Sequence, residues 1–389
     1  MYQINNEAIV RVIESYCRMW RIWLEVGDRV FTGESIMSAS STLQSSSQSD
    51  DIELGAVCSA QWTLTLNEAE GDFLGKDFAL YFYLCDIDRY GSDTLYSDLT
   101  PYTLSELGRL TVEQVGRLGE ILGAERIPMA QLTCVRSKKS GFSTELTLAD
   151  RLYFSDREYT PTVRLPASGK AIEDDICTQL GLINGNSYTS EPYLFERAGR
   201  RLFDSDGLRL RASSFDFTVK SVTKGTTMRQ MLGYIASMHG QFGFVDRFGR
   251  YVRKWYGASV KTLDPNTIDL PTLSEQQNVI TGIVCTVSKD SVLTLGNGSG
   301  RVIEFENPYM TRELLVSIWF RVGGYAWYTT DLYHRLGDPR FDIGDVVTYE
   351  GSEQAYEIPI TGLDYSFDGG LSATITAVGI SVEEQIEPI

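Results

Sequence analysis

The run Ala60-Gln61-Trp62-Thr63-Leu64-Thr65-Leu66 alternates apolar and polar residues one by one. A period of two puts Trp62, Leu64 and Leu66 on one face of a strand and their neighbours on the other, so the segment must lie in a sheet with one face buried. A helix would scatter the same residues around its circumference. The pattern recurs: Trp20, Ile22 and Leu24 alternate with Arg21, Trp23 and Glu25, and Phe78 to Leu84 is a more continuously apolar strand. Gln131 to Arg136 and Phe142 to Leu148 predict a hairpin across Lys138-Lys139-Ser140-Gly141. The 21 Tyr, 17 Phe and 6 Trp suit such pleated surfaces.

Other segments read less uniquely. Ala8 to Tyr16 fits a short helix as well as a strand lead-in. Residues 37–50 are rich in serine and fit either a flexible loop or a polar edge strand running into Ile52-Glu53-Leu54-Gly55. Residues 104–122 read as a helix weakened by Gly108, Gly116 and Gly119. In the middle of the chain, Ala171 to Leu180 predicts a helix stopped by Gly181. Met228, Met231, Leu232 and Ile235 recur at helical spacing after Thr226-Thr227 and before Gly240. A hairpin with the turn Asp246-Arg247-Phe248-Gly249 follows. Strands return at 280–287, 291–295 and 301–305, then a helix at 311–322, then strands at 345–350, 356–367 and 371–378. The order is β, then α+β, then β.

The net charge of -17 is concentrated at the two ends. Residues 1–100 hold 6 basic and 16 acidic residues, residues 341–389 none and 10, and residues 101–340 hold 29 and 26. Acidic ends argue against affinity for nucleic acid or an anionic membrane, both being negative. The acids serve solubility, or part of them, among Asp86, Asp88, Asp342, Asp345, Glu350, Glu353 and Asp364, lines a passage that DNA crosses without adhering. No basic and apolar leader opens the sequence, and no apolar run nears the roughly 18–20 residues of a membrane-spanning helix. Cysteines 17, 58, 85, 134, 177 and 285 form no CxxC pair, which argues against zinc or thioredoxin-like chemistry and for free thiols from a reducing cytoplasm.

Chemical motifs are sparse. The only histidines are His239, at a predicted helix C-terminus where the dipole suits a cation, and His334. No GxSxG elbow accompanies them. Leu295-Gly296-Asn297-Gly298-Ser299-Gly300-Arg301 lacks the Gly-Lys-Ser/Thr and helix of a phosphate cradle and predicts a hairpin loop. Asp86-Ile87-Asp88-Arg89-Tyr90-Gly91 begins like a calcium loop but has Ser97 where the twelfth-position glutamate belongs. Glu173-Asp174-Asp175 reads as dipole-stabilising acid in the first turn of its helix, and Lys138-Lys139 as a solvated hairpin tip. No catalytic, cofactor-binding or metal-binding residue is expected, and no cofactor.

The order of short signatures resembles phage baseplate hub and tail-tip proteins, a family related to contractile injection systems. The matching stretches are Ile52 to Ser59 with Trp62 to Leu66, Arg126-Ile127-Pro128-Met129-Ala130, Leu146 to Phe154, the helix 226–240 with its Asp246-Arg247-Phe248-Gly249 turn, Glu306-Asn307-Pro308, Gly337-Asp338-Pro339, Phe341 to Val347 and Gly369 to Ile375. Each is turn chemistry or core patterning, and the resemblance rests on their order over residues 27–380. Ala130 stands where the family often has glycine.

The resemblance implies an α+β, β-rich multidomain fold: an N-terminal arm (1–26), a tail-tube-like β-barrel domain (27–157), an α+β region (158–275) and a second tube-like β-barrel domain (276–389). It implies a homotrimer whose six barrels form a ring, matching a sixfold tube to a threefold hub, although no sequence repeat relates the halves. The implied role is structural and non-enzymatic: a hub joining the tail tube to the spike or tail tip, touching other baseplate proteins and a tape measure protein, and forming part of a conduit for DNA or effectors. It would act in the virion tail after assembly in the host bacterial cytoplasm. A tail-associated cell-wall hydrolase and a carbohydrate-binding adhesin are the competing readings.

Overall fold

The computed structural model describes residues 1–4, 10, 13, 14, 19–44, 51–67, 71–85, 126–186, 217–269, 271–351 and 354–379. The first segment supplies strands β1 (Met19–Val26), β2 (Arg29–Thr32), β3 (Ile36–Gln44), β4 (Gln61–Asn67), β5 (Asp77–Cys85), β6 (Ile127–Ser140) and β7 (Ser143–Ala149). Alternation sets their faces as expected: Trp62, Leu64 and Leu66 are buried on β4, and Trp20, Ile22 and Leu24 on β1. The β6–β7 hairpin turns at Gly141-Phe142, so Lys138 lies in the ladder opposite Glu145 and not in the turn. Ala130 pairs with Leu80 beside a register shift in the β5–β6 ladder. The segments 86–125 and 45–50, with the calcium-like loop and the helix expected at 104–122, lie outside the described residues, as does most of 8–16.

The middle segment supplies β8 (Ala167–Ser168), helix α1 (Gly169–Leu180), β9 (Ile183–Asn184), β10 (Thr218–Val219), helix α2 (Met228–Met238), β11 (Phe242–Val245) and β12 (Arg250–Lys254). The α2 start is a complete capping box. Thr227 Oγ1 accepts from Gln230 N at 3.1 Å, and Gln230 Oε1 accepts from Thr227 N at 2.9 Å. Helix α1 ends on Gly181, whose φ of 71° only glycine adopts freely. Ile172, Ile176, Met228, Met231, Leu232, Ile235 and Tyr251 form a core of their own between the two helices and the β11–β12 hairpin.

The last segment supplies β13 (Ser259–Leu263), β14 (Thr272–Leu273), β15 (Asn278–Ser288), β16 (Ser291–Gly296), β17 (Arg301–Glu306), helix α3 (Arg312–Val322), β18 (Ala326–Trp327), β19 (Thr330–His334), β20 (Val346–Glu350), β21 (Ala355–Pro359), β22 (Gly362–Phe367) and β23 (Leu371–Ala377). The stretch read as one strand from 356 to 367 is thus two, broken at Ile360-Thr361. The loop after β16 is not a hairpin. β16 and β17 flank β15 on opposite sides, and β17 runs parallel to β15. The chain therefore crosses the end of β15, and Asn297 N and Gly298 N donate to Thr281 O at 2.9 and 3.2 Å. A Cβ on Gly296 would lie 2.2 Å from that carbonyl oxygen, which is why glycine is needed there.

The two β-rich segments share one sheet. Its eleven strands run β14-β19-β23-β22-β3-β4-β7-β6-β5-β1-β2. The join is the antiparallel β3–β22 ladder, with Ser366 opposite Ser40 and Phe367 opposite Ala39. As far as Gln44, the serine-rich run is therefore a central strand, not a loop or an edge. Trp62 stacks on Tyr365 with ring centroids 6.2 Å apart, and Phe82 meets Phe367 at 6.1 Å, so one hydrophobic core spans both segments. Among the described residues this sheet remains open between β14 and β2. The β-rich expectation holds, but the described strands do not form two closed barrels.

Candidate functional site

Neither histidine has the surroundings of a catalytic base. His239 caps α2, but burial together with Arg253 and Arg321 pushes its pKa down to about 2. It is a neutral ring at neutral pH, not the helix-end cation that the dipole favours. His334 Nε2 lies 3.3 Å from Thr267 Oγ1, yet that hydroxyl already donates to Asp264 O at 2.8 Å. The Cys58 and Cys177 thiols are raised by burial, Cys58 to about 12, so both stay protonated and poorly nucleophilic. Among the described residues no cluster of three His, Cys, Asp or Glu side chains could hold a metal, and no helix is long and apolar enough to cross a membrane.

The acids of the run Glu173-Asp174-Asp175 are internal fasteners. Helix α1 begins at Gly169, so Glu173-Asp174-Asp175 lies beyond its first turn, and each acid has a tertiary or local partner. Glu173 pairs with Arg253 at 2.8 Å, and Asp174 pairs with Lys170. Asp175 accepts from Tyr159 Oη at 2.7 Å and from Thr162 N at 3.0 Å. Burial would raise the Asp175 carboxyl, but these hydrogen bonds, with those from Thr162 Oγ1 and Gln179, outweigh it and hold it below its usual value.

Asp342 and Asp345 are likewise engaged. Arg247, from the turn between β11 and β12, donates to Asp342 Oδ1 at 2.9 Å through Nε. Its other nitrogens reach Pro128 O and Pro339 O at 3.0 Å and Phe341 O at 3.1 Å. One guanidinium thus joins β6, the middle hairpin and the 339–342 loop. Asp345 meets Lys254 Nζ at 2.7 Å and the Met1 ammonium at 2.6 Å, which more than offset its burial and keep its pKa low. Beside them Asp338, although buried, is held at about 2 by Arg340 at 2.8 Å and by Lys261. Glu350 and Asp364 are exposed; Asp86, Asp88 and Glu353 lie outside the described residues.

One open cleft of about 700 Å³ stands out; its walls come from three of the stretches that carry the resemblance, although none of them reads as a site. It is lined by the extended segment 53–59, by Arg229 and Tyr234 of α2, by Asp156, and by Phe305 and Glu306 of β17. Segment 55–58 is pinned there by Gly55 N to Gln241 O at 2.9 Å and by Gly243 N to Ala56 O at 2.8 Å. Gly233 lets α2 lie directly on it, since a Cβ there would come within 2.7 Å of Gly55 O. Arg229 holds the wall by pairing with Asp156 at 2.7 Å and donating to Leu152 O at 2.9 Å. Among the described residues its lining carries three carboxylates, Glu53, Asp156 and Glu306, and one guanidinium, with apolar surface from Leu54, Tyr234 and Phe305. That composition suits a basic, partly apolar protein segment.

No family model and no curated protein matches the sequence. Solved structures do match. The tail protein from Neisseria meningitidis MC58 superposes with a TM-score of 0.51 at 11% identity, over 92% of this chain and 95% of that one. The 43 kDa tail protein of prophage MuSo2 from Shewanella oneidensis gives 0.45 at 12% identity over 92% and 97%. Prophage tail protein gp18 from Listeria monocytogenes EGD-e gives 0.46 at 9% identity over 93% and 96%. Across nine-tenths of its length this chain shares the fold of the Neisseria meningitidis tail protein, a likeness in three dimensions independent of the signatures read from the sequence.

Proposed function

We propose that the chain is a structural, non-enzymatic component of a phage-type tail, a hub at the end of the tail tube that joins tube to spike. The observation that carries this reading is the end-to-end match to a tail protein, which takes in all three segments of the chain and not one common module. In this reading residues 27–157 and 276–389 are the two tube-like modules of each subunit, 158–275 is the α+β region between them, and 1–26 is an arm. Three copies close a ring that presents six modules to a sixfold tube, since duplicating a module halves the rotation each contact must make. Tail tube, spike and other baseplate proteins are the partners, the virion tail is the location, and DNA passes without specific binding.

The conduit component now rests on fewer acids. Asp342 and Asp345 are neutralised within the subunit, which leaves Glu350 and Asp364 as exposed described candidates for a repelling wall. The test is co-expression with the tube protein from the same tail, followed by mass measurement of the purified complex and antibody labelling of intact particles. A threefold complex labelled at the distal end of the tube is expected. Label on the shaft or on side fibres, or a free monomer throughout, would overturn the hub assignment.

A further inference from the structure

The tip of the β6–β7 hairpin is built for contact with something outside the subunit. Every residue from Arg136 to Phe142 is exposed, and Phe142 is 92% exposed. A wholly solvated phenyl ring contributes nothing to the fold, and the turn at Gly141 places no demand on its neighbour for an aromatic side chain. Among the described residues β6 also lacks an outer partner beyond Cys134, where the chain before β5 last bonds to it. Arg136, Lys138 and Lys139 against Glu145 give this arm a local charge of about +2 in a chain of net -17.

The cleft beside α2 has the complementary character. Among the described lining residues three carboxylates against one guanidinium give about -2, and Leu54, Tyr234 and Phe305 supply apolar surface for a ring. The arm cannot fill the cleft of its own subunit. β7 runs from Ser143, opposite Asn67, to Ala149, opposite Gln61, and Gln61 lines the cleft. The tip and the cleft therefore lie at opposite ends of the same strands, about 20 Å apart at roughly 3.4 Å per residue. A projection at one end and a matching recess at the other is the arrangement that a head-to-tail contact requires, and such contacts close a ring when the rotation between copies divides a full turn.

We infer that the β6–β7 arm of one copy docks in the cleft of a second copy of this chain, Phe142 against the apolar surface and Lys138 and Lys139 against Glu53 and Glu306. The inference rests on the reading of the protein as a self-assembling ring, and sedimentation of the full chain tests the two separately. One variant reverses the arm, Lys138→Glu with Lys139→Glu. A second reverses the cleft, Glu53→Lys with Glu306→Lys. Each alone should lose the assembled species seen for the unmodified chain while keeping its circular dichroism. A chain carrying both reversals should regain assembly, because the acidic arm of each copy now meets the basic cleft of the next. If the arm variant still assembles like the unmodified chain, the lysines only guard an open strand edge and the docking is wrong. If the chain with both reversals fails to assemble while keeping its circular dichroism, the cleft is not the receptor. If the unmodified chain is itself a monomer at all concentrations, the ring and the docking fall together.

Discussion

Arg253 on β12 and Glu173 on α1 form an ion pair of 2.8 Å in which the side chains are 3% and 0% exposed. The pair fastens the hairpin to the helix inside the smaller core. A buried pair adds little net stability over a well-packed apolar one, but losing one partner strands the other charge out of water. Glu173→Met should therefore cost about 3–5 kcal/mol. Glu173→Met combined with Arg253→Met should recover most of that loss. Urea denaturation of the four proteins of the double-mutant cycle checks both statements.

Arg247→Lys should behave as a disruptive change and not a conservative one. A lysine ammonium cannot reach Pro128, Pro339, Phe341 and Asp342 together as the guanidinium does. The three segments would be joined less firmly, with a loss on the order of 3 kcal/mol or more. Limited proteolysis should then cut faster in the 337–345 loop than in the unmodified protein, where the loop is held.

The His239 pKa, lowered to about 2, gives stability an unusually early acid dependence. The unfolded chain takes up a proton near pH 6.5, while the folded chain does not until about pH 2. Stability is fully present above pH 6.5 and is lost as the pH falls, by about 1.4 kcal/mol per unit. Asp150 acts in the opposite sense. Burial raises it from 3.8 to about 6, so its protonated form is favoured in the fold and its contribution declines as the pH rises through that window. The measurement that isolates the histidine is the difference between the unmodified protein and His239→Gln. The stability of the unmodified protein relative to His239→Gln should fall steadily from pH 6.5 to 4.5, and parallel curves would show that the histidine is not buried in its neutral form.

Leu232→Ala should cost about 2–5 kcal/mol, because Leu232 is 0% exposed in the core that α2 shares with α1 and Tyr251. A loss below roughly 0.5 kcal/mol, the usual surface value, would mean that this face of α2 is not buried.

Local chemistry made much of this legible. The Thr227 cap, the Gly181 stop and the faces of β1 and β4 follow from residues within a turn or two of one another, and the structure has them where the pattern put them. What was misread depends on distant partners. The serine-rich strand reads as a loop or an edge because its polar residues carry no sign of β22, over 300 residues away, whose Tyr365 N donates to Ser41 Oγ. Glu173 looked like helix-end acid because Arg253 is 80 residues further on. The Gly296 run looked like a hairpin because a crossover and a hairpin need the same glycines. The stretches around the cleft beside α2 stood out only as family-like signatures, because a cleft assembled from three distant segments has no local pattern of its own.

The β3–β22 ladder also sets a timetable. A ribosome delivers β3 about 320 residues before β22, which at roughly 5–20 residues per second is tens of seconds. Through that interval the strand Ile36–Gln44 has β4 on one side and nothing on the other, while the core around Trp62 lacks Tyr365 to close it. Contacts this distant in sequence are slow to form and leave strand edges open to other chains in the meantime. The serines along β3 then take on a second meaning: a polar edge is a poor template for pairing with a neighbour, so the strand can wait for its proper partner.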